Sequence, residues 1–592
     1  MPLRAIAATL AAACAIIAVA LVGTSSDSPV PAVGEASAAS ARPTIAFTRP
    51  AAGATVSGAV PVVVRVSQKP AISRVEFRVD GKLRWTERTR PYVMYGDAGR
   101  LRTTSLKSGR HVLKATAVAV NGSRRTATRT VKVVRGGGGG TGGPGQPTPV
   151  PPLSPSALGL RVASSTATSI TLAWNAVQGA TAYGVYVNGV KRTDATGTGY
   201  TIANLSCGIA YQVQVDVASG GTRTEKVALR ASTQPCEPAS FFLSPGGNDG
   251  NPCSAAAPCR SLDRGYKVAR PGQVVELAAG SYPGGSITND PSKNGATSRV
   301  VLRGAANAAV SIGDELFIRA QHVEIRDLAA PQGWQTDQNA ADVVIRNVDS
   351  RHLFILSSQG VQVIGGSIGP GVDSHPIIGA ATSTPPRDIL IEGVRFHDWT
   401  RSNSTVHTEC LQIGAGDGIT LRGNTFTNCQ ATGNLHVSSF GPAPQTRNVT
   451  IENNFFSTTV GGFYSIQVYG YAGTLIRNNS ATQSFLIMPA GGDVRMIGNL
   501  APYASYECVS GVQYRNNVWF ASGNATPAKC GATDFGVRTS NPGFVDPGSL
   551  DLHITAASPA NGRGSPTEGA ATDIDGEARD ANNAPDAGAD ER

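Results

Sequence analysis

The chain has 592 residues, of which 16% are charged and 6% aromatic, with 69 glycines and 37 prolines. This length allows several domains, and low charge with many turn-forming residues predicts β-structure and excludes a Lys/Glu-rich helical protein. The net charge is +10, yet residues 42–135 alone hold 20 basic and 4 acidic residues. A strongly basic N-terminal part therefore precedes a mildly acidic body, and the one long apolar run, at the N-terminus, excludes a multi-span membrane protein.

Residues 1–41 have the pattern of an export signal. Arg4 precedes an uncharged, mostly apolar run from Ala5 to Val22, and small residues follow at 36–41. The pattern predicts a signal peptide, with an uncleaved N-terminal anchor as the alternative. Either interpretation makes the protein secreted or attached to the cell surface.

The cysteines agree with export. Outside the apolar run their number is even, and no C-x-x-C spacing occurs, so disulfides are predicted rather than zinc or thioredoxin-like chemistry. Pairing of neighbours along the chain is the simplest arrangement. It predicts Cys207–Cys236, Cys253–Cys259, Cys410–Cys429 and Cys508–Cys530.

Residues 43–135 show short alternating strands, with hairpin turns predicted at Asp80-Gly81 and Asn121-Gly122. The segment "VEFRVDGKLRWTERTRPYVM" and the following "LKSGRHVLKATAVAVNG" resemble bacterial immunoglobulin-like modules of exported enzymes. The excess positive charge predicts attraction to polyanions such as those of a cell wall. The arginines are spread along strands, which argues against specific recognition of a nucleic acid.

Residues 136–155 form a predicted Gly/Pro linker, and residues 156–235 a second β-sandwich. The second sandwich resembles a fibronectin type III domain in "SITLAWNAV", "AYGVYVNG" and "LSCGIAYQVQV". The resemblance implies that Trp174 fills the core and that Tyr211 makes the corner hydrogen bond. It implies a fold and says little about function.

Residues 240–592 contain a repeat. Similar phrases, such as "DVVIRNV", "DILIEGV", "GITLRGN", "NVTIENN" and "GTLIRNN", return every 18 to 30 residues. Strands at this spacing that end in Asn or Gly predict a parallel β-helix, with apolar residues inside and asparagines laddered at the bends.

The repeat is flanked by "FFLSPGGNDGNPCSAAAPCRSLDRGYKVARPGQVVELAAGSYPG" and by "NPGFVDPGSLDLHITAASPA". These segments resemble the entry and exit segments of pectate-lyase-like parallel β-helix proteins. A short helix near 261–269 is implied as the cap of the open end. The acidic tail, with Asp573, Asp575, Glu577, Asp580 and Asp586, is expected to be a structural cap, with a metal site as the alternative. The predicted fold class is all-β, with two N-terminal β-sandwiches followed by a right-handed parallel β-helix.

The longest turns begin near residues 361, 389, 419 and 449, so stacked loops should form a cleft around residues 370–470. Period-2 alternation in one strand of each turn places Leu411 and Ile413 inside the solenoid. The same alternation places Gln412, His436 and Gln467 outside, on successive turns. This polar ladder is either the floor of a sugar-binding cleft or a plain solvated face.

Histidines and carboxylates cluster in the same region. The phrase "VHTECLQIGAGDG" places His407, Glu409 and Gln412 at the start of one strand, and we expect it to form the centre of the site. Four of the eight histidines lie within 62 residues, at His375, His397, His407 and His436. Interleaved with them are Asp373, Asp398, Trp399, Arg401, Glu409 and Asp417.

Two chemistries fit this composition. Elimination at a uronate needs a base and a neutraliser of the carboxylate, and His407 or His436 is the candidate base. Neutralisation is expected from Ca²⁺, or instead from Arg401 and Arg422. The candidate Ca²⁺ ligands are Asp373, Asp398, Glu409 and Asp417.

Glycoside hydrolysis instead needs two carboxyl groups, which Glu409 with Asp398 or Asp373 would supply. The residues expected to contact sugar are Gln412, Gln467, Trp399, Arg401 and His375.

The region departs from related enzymes in two ways. Its turns have no adjacent aspartate pair of the polygalacturonase kind, and residues 294–528 contain no lysine to serve as a base. The sequence therefore favours a secreted enzyme acting on an acidic polysaccharide, by elimination or by hydrolysis. A non-catalytic glycan-binding protein or adhesin is the alternative. We expect a monomer, and the sugar and linkage are left open.

Overall fold

The computed structural model is almost entirely β-structure and falls into two compact units. The predicted signal segment 1–41 and the linker 136–155 lie outside the described residues. The described residues are 43–50, 53–56, 59–60, 62–66, 72–87, 92–94, 101–102, 106–119, 123–133, 158–219, 222–224, 226–403, 406–429, 432–440, 443–457, 464–489, 493–502, 508–522, 527, 529–580 and 585–591.

The N-terminal unit is a β-sandwich. It has one sheet of order β1-β4-β7 and a second of order β2-β10-β9-β5-β6, and β3 pairs with β8. Alternate residues such as Val64, Phe77 and Val131 form its core. The strands β1 to β10 are Ile45–Arg49, Thr55–Val56, Ala59–Val60, Val63–Val66, Ile72–Val79, Lys82–Glu87, Tyr92–Val93, Leu101–Arg102, Gly109–Ala119 and Arg124–Val133.

A second sandwich begins the other unit. Its sheets have the orders β11-β12-β15 and β14-β13-β16-β17, with β18 on β16. Trp174 is buried against Tyr183, and the Tyr211 hydroxyl accepts a hydrogen bond from Ser206 N at 2.9 Å, which is the expected corner contact. The strands β11 to β18 are Arg161–Ser165, Ile170–Ala173, Ala182–Val187, Val190–Ala195, Gly199–Ile202, Ala210–Ser219, Thr222–Arg223 and Val227–Ser232.

The same unit continues as a right-handed parallel β-helix, as predicted. Its strands β19 to β53 are Phe241–Leu243, Val274–Leu277, Gly280–Tyr282, Gly285–Thr288, Val300–Gly304, Val310–Ile312, Leu316–Arg319, Gln321–Ala330, Trp334–Thr336, Ala341–Ser350, Leu353–Leu356, Gln359–Ile364, Ser367–Ile368, Gly371–Val372, Ile377–Gly379, Arg387–Glu392, Arg395–His397, Trp399–Thr400, Glu409–Ile413, Asp417–Arg422, Thr425–Thr427, Gly433–Val437, Arg447–Glu452, Phe455–Ser457, Tyr464–Gly470, Thr474–Arg477, Ser480–Ala481, Phe485–Pro489, Val494–Ile497, Leu500–Pro502, Val512–Arg515, Val518–Ala521, Phe535–Arg538, Phe544–Asp546 and Asp551–Ile554.

Successive turns of the helix stack in parallel register along three ladders. Two ladders merge in one long sheet, because β26 and β28 each run through both of them. The third is a separate sheet of order β22-β25-β27-β29-β33-β37-β40-β43-β46. One continuous apolar core fills the interior.

A short helix covers the open N-terminal end. Helix α1 spans Leu262–Val268, and the Ser261 side chain caps it by accepting a hydrogen bond from Arg264 N. Leu262 and Tyr266 are buried in the first turns, and the Tyr266 hydroxyl donates to Gln321 O at 2.8 Å. In the described part of the chain, single-turn 3-10 helices lie at Pro291–Lys293 and Pro547–Ser549.

Asparagines ladder at the bend between the first and second strand of successive turns. In each step the amide of one asparagine donates to the Oδ1 of the next at 2.9–3.0 Å. All of these side chains are fully buried. The ladder comprises Asn424, Asn454, Asn479, Asn499 and Asn517.

We expect Asn454→Ala to destabilise the β-helix by about 3 kcal/mol or more, because several buried groups would lose their partners. Asn454 donates to Leu421 O and Asn479 Oδ1 and accepts from Asn424 N, at 2.9–3.0 Å. The midpoint of unfolding in urea measures the effect, with exposed Gln513→Ala as control. Equal midpoints for the two variants would contradict a stabilising ladder.

All four predicted disulfides are present. They join Cys207 to Cys236, Cys253 to Cys259, Cys410 to Cys429 and Cys508 to Cys530. Within the described parts of the chain, no helix is long and apolar enough to cross a membrane.

Candidate functional site

The predicted polar ladder lies on the third sheet. Gln412 of β37 is in register with His436 of β40, and His436 is in register with Gln467 of β43. Leu411 and Ile413, on the alternate positions, are fully buried in the core. Alternation along these strands therefore turns the apolar residues inward and the three polar residues outward, as expected.

The ladder is covered and is not a solvated face. Gln412 and His436 are 3% and 7% exposed, although both point away from the core. The Gln412 Nε2 atom lies 3.3 Å from His436 Nδ1, and the ring of Tyr469 is centred 6.0 Å from that of His436. These contacts form the floor of the candidate site.

A buried glutamate stands at the centre of this floor. Glu409 is 0% exposed, and its Oε1 atom lies 3.0 Å from His407 Nδ1. The Tyr464 hydroxyl donates to the same oxygen at 3.2 Å. The other oxygen, Oε2, lies 3.8 Å from His375 Nδ1. Glu409 thus joins residues from three turns of the solenoid.

The surrounding imidazoles set the charge of Glu409. Burial acts to raise the pKa of its carboxyl group, but the hydrogen bond from His407 and the charges of His375 and His436 outweigh burial. The net effect lowers the pKa, so Glu409 is a carboxylate near neutral pH.

His407 is the member of the cluster that faces solvent, with its side chain 50% exposed. Its hydrogen bond to Glu409 raises the pKa of the imidazole, partial burial opposes this, and the charge of Arg401 also lowers it. The net pKa lies above the ordinary value. Because Nδ1 is held by Glu409, Nε2 is the nitrogen available to a substrate.

The other two histidines are much less exposed, with the His375 side chain at 10% and His436 at 7%. Burial lowers the pKa of both His375 and His436. Among the described residues, His375 Nδ1, His436 Nε2 and Glu409 Oε2 have no hydrogen-bond partner. Buried polar atoms without partners are rare, and three in one cluster mark it as a candidate site.

Two tyrosines of the cluster escaped the sequence analysis. Tyr464 packs over Gly433 of the preceding turn, where a Cβ atom would lie 2.1 Å from the ring. A glycine in register with a tyrosine on the next turn is therefore the sequence feature that could have predicted the position of Tyr464. Tyr469 carried no signal beyond its place on the strand that holds Gln467.

The prediction that Trp399 stacks on sugar is wrong. Its side chain is fully buried in the core. The indole lies over Gly371 of the preceding turn, where a Cβ atom would meet the ring at 2.1 Å. Asp398, at φ 57°, bends the chain just before the tryptophan and directs the indole inward.

Asp398 and His397 belong to a different part of the surface. His397 Nδ1 lies 2.9 Å from Asp398 Oδ2, and Asn428 donates to the same carboxylate. Asp398 lines a separate cavity of about 610 Å³ that also contacts Arg351 and Thr400. The structure therefore gives Asp398 and Glu409 separate partners, contrary to their expected roles as a catalytic carboxyl pair.

Two of the carboxylates expected to bind Ca²⁺, those of Asp373 and Asp417, have different partners. Asp373 accepts a hydrogen bond from Ser402 N at 2.6 Å. Asp417 lies on the first ladder, with Arg447 at 2.7 Å and Arg387 at 3.8 Å. Arginines satisfy one carboxylate and a backbone amide the other, so these residues do not fit a shared cation.

Comparison with known proteins identifies the first module by sequence. Residues 43–115 match the family described as bacterial Ig domain. A poly(3-hydroxybutyrate) depolymerase from Ralstonia pickettii is 41% identical over 78 residues, which is 13% of this chain and 16% of that protein. Exochitinase 1 from Streptomyces olivaceoviridis is 52% identical over 48 residues, 8% of each chain. The chain thus spans only 16% and 8% of these two curated relatives.

Similar solved structures include three carbohydrate-active enzymes. A pectate lyase has a TM-score of 0.32 at 12% identity and covers 60% of this chain and 96% of its own. A rhamnogalacturonan lyase has a TM-score of 0.30 at 11% identity and covers 50% and 90%. A family 28 exopolygalacturonase from Yersinia enterocolitica has a TM-score of 0.22 at 10% identity and covers 61% and 91%.

Proposed function

We propose that this protein is an exported enzyme that cleaves a uronate-containing polysaccharide by β-elimination, with His407 as the base. The pair of half-exposed His407 and buried Glu409 carries the proposal. A carboxylate that holds one imidazole nitrogen fixes the tautomer and directs the other nitrogen outward. The four disulfides support export.

The reaction assigns a role to several side chains of the site. His407 Nε2 takes the proton from C5 of the uronate, the C4–O bond breaks, and a C4–C5 double bond forms, while a solvent water gives a proton to the leaving oxygen. Arg401 lies close enough for its charge to act on His407, and it is our candidate to neutralise the substrate carboxylate. Gln412 and Gln467 on the floor are candidates to bind sugar hydroxyls.

Hydrolysis receives less support from the geometry. It needs two carboxyl groups that flank the scissile bond. Glu409 is fully buried and bound to His407 and Tyr464, while the partners of Asp398 lie elsewhere. Glu409 is therefore a positioning residue. Among the described residues, no second carboxylate takes part in the hydrogen bonds around it.

The test uses the full secreted chain with its disulfides intact. It is incubated with pectate, alginate, glycosaminoglycans and neutral glycans, with added Ca²⁺ and with chelator. Absorbance of unsaturated uronate and reducing ends are followed together, and both should rise on one acidic glycan. An increase in reducing ends without an increase in unsaturated uronate would show that the reaction is hydrolysis and not elimination. If no glycan gives product but binding is retained, a non-catalytic glycan-binding protein or adhesin would be favoured.

The basic N-terminal unit supports a further expectation about partners. Exposed cations line its hairpin strands, among them Arg110, Lys114, Arg124 and Arg125. We expect the double variant Arg124→Glu/Arg125→Glu to weaken binding to an anionic wall polymer at low salt and to flatten its salt dependence. Pull-down with the isolated polymer measures this. If the salt dependence of binding is unchanged, these arginines of the N-terminal unit do not contribute to binding of the polymer.

A further inference from the structure

A row of side chains continues the polar ladder toward the N-terminal turns of the third sheet. Phe317 of β25 is in register with Gln335 of β27, which is in register with Phe354 of β29. Phe354 is in register with Ile377 of β33, and Ile377 with Gln412 of the candidate site. One continuous row of positions therefore joins the two phenylalanines to the floor of the candidate site.

Alternation along these strands turns the row outward. The residues next to it, among them Leu316, Trp334 and Leu353, are at most 3% exposed and lie in the core. Phe317 and Phe354 are by contrast partly exposed on the surface of the sheet. Aromatic rings commonly line ligand sites, because a ring offers a flat apolar surface to the ligand.

Gln335, which lies between the two phenylalanines in this row, carries an unpartnered polar group. It is 7% exposed although it points away from the core, and its Nε2 atom is buried without a hydrogen-bond partner among the described residues. A buried amide without a partner costs free energy in the folded protein, so folding alone does not account for it. A ligand oxygen bound on this row would supply the missing acceptor.

A cation beside the row indicates an acidic ligand. The Arg319 guanidinium lies 5.4 Å from the centre of the Phe317 ring. Its Nε atom donates to Asp337 at 2.8 Å and its Nη1 atom to Ser286 Oγ at 3.2 Å, and these bonds hold the side chain in place. Its Nη2 atom has no hydrogen-bond partner within the described residues, and the side chain is 34% exposed. Arg319 can therefore still donate to a carboxylate.

We propose that Phe317, Gln335 and Phe354 form a distal subsite for a uronate unit of the polymer that the candidate site cleaves. Arg319 lies beside the carboxylate of that unit. This inference rests on the proposed function and extends it to chain length. Neighbouring strands lie about 4.8 Å apart, so Gln335, three strands from Gln412, is roughly 14 Å away from it. A substrate must extend several sugar units beyond the cleaved bond to occupy both positions, so long polyuronates should be preferred over short ones.

The first experiment compares activity on a polymer with activity on a trisaccharide. The full chain, Gln335→Leu and Phe354→Ala are assayed on pectate, alginate and hyaluronan and on trisaccharides prepared from them. In both variants the ratio of kcat/KM for the polymer to kcat/KM for the trisaccharide should fall about tenfold, because only the polymer reaches the subsite. Gln335→Leu should have a Tm no lower than that of the wild type, because Nε2 has no partner to lose.

Gln362→Leu is the matched control, since it makes the same change at an outward position of β30 on the long sheet. It should keep the wild-type ratio. If Phe354→Ala fails to fold, Gln335→Leu still decides.

Affinity electrophoresis in gels that contain pectate, alginate or hyaluronan measures binding without turnover. The glycan should retard both variants less than the wild type, and Gln362→Leu as much as the wild type. Retardation that depends on Gln335, without product from the wild type, would support the subsite and refute the proposed elimination. The subsite would be overturned if both variants keep the wild-type ratio and retardation, or if no gel retards the wild type, while any measured elimination would stand.

Discussion

We expect His407→Ala to lower kcat on the preferred acidic glycan by about 10²–10⁴-fold, because a positioned general base contributes on that order. His407 is half exposed, whereas the side chain of His375 is 10% exposed and His436 is 7% exposed. It is therefore the one imidazole of the cluster that reaches substrate without rearrangement. The release of unsaturated uronate measures kcat, and circular dichroism verifies that the β-helix is intact.

The matched control is His397→Ala. His397 lies in the same stretch of sequence but is hydrogen-bonded to Asp398 on the long sheet, away from Glu409. We expect it to retain wild-type turnover. If both variants lose activity equally, the assignment of catalysis to the His407–Glu409 pair and not to the His397–Asp398 pair is wrong. If His407→Ala stays active, the base is another residue, and Tyr469→Phe becomes the next variant.

The polar ladder was predictable because the repeat fixes both register and alternation. Once "CLQI", "NLHV" and "SIQV" are aligned, period 2 places Gln412, His436 and Gln467 on one face, and the parallel pairings agree. The asparagine ladder followed from the same repeat. These features depend on spacing along the chain, which the sequence records directly.

The positions at bends were not predictable in this way. Trp399 directly follows Asp398, whose positive φ breaks the alternation, and the direction of the indole then depends on Gly371 one turn earlier. Proximity in sequence likewise grouped Asp398 with Glu409, although one follows a strand of the long sheet and the other begins a strand of the third sheet. In a solenoid, neighbours in sequence diverge onto different sides.

Glu409→Gln tests the electrostatic role of the buried carboxylate. The neutral form of His407 is the base, and its hydrogen bond to Glu409 raises the pKa of the imidazole. Activity should therefore rise as pH increases through a pKa above the ordinary histidine value. With the negative charge removed, that pKa falls, and the rising limb of kcat against pH moves to lower pH. We also expect the plateau of kcat to fall by about 10²-fold, because a neutral amide stabilises the imidazolium poorly.

Tyr464→Phe is the matched control, since it removes a hydrogen bond to Glu409 Oε1 and leaves the charge in place. Its rising limb should stay near the wild-type position. A carboxylate that only supports packing would lower kcat equally at all pH values in Glu409→Gln without moving the limb. That outcome would reduce Glu409 to a structural residue. A shift confined to Glu409→Gln would instead identify the carboxylate as the group that sets the protonation of the base.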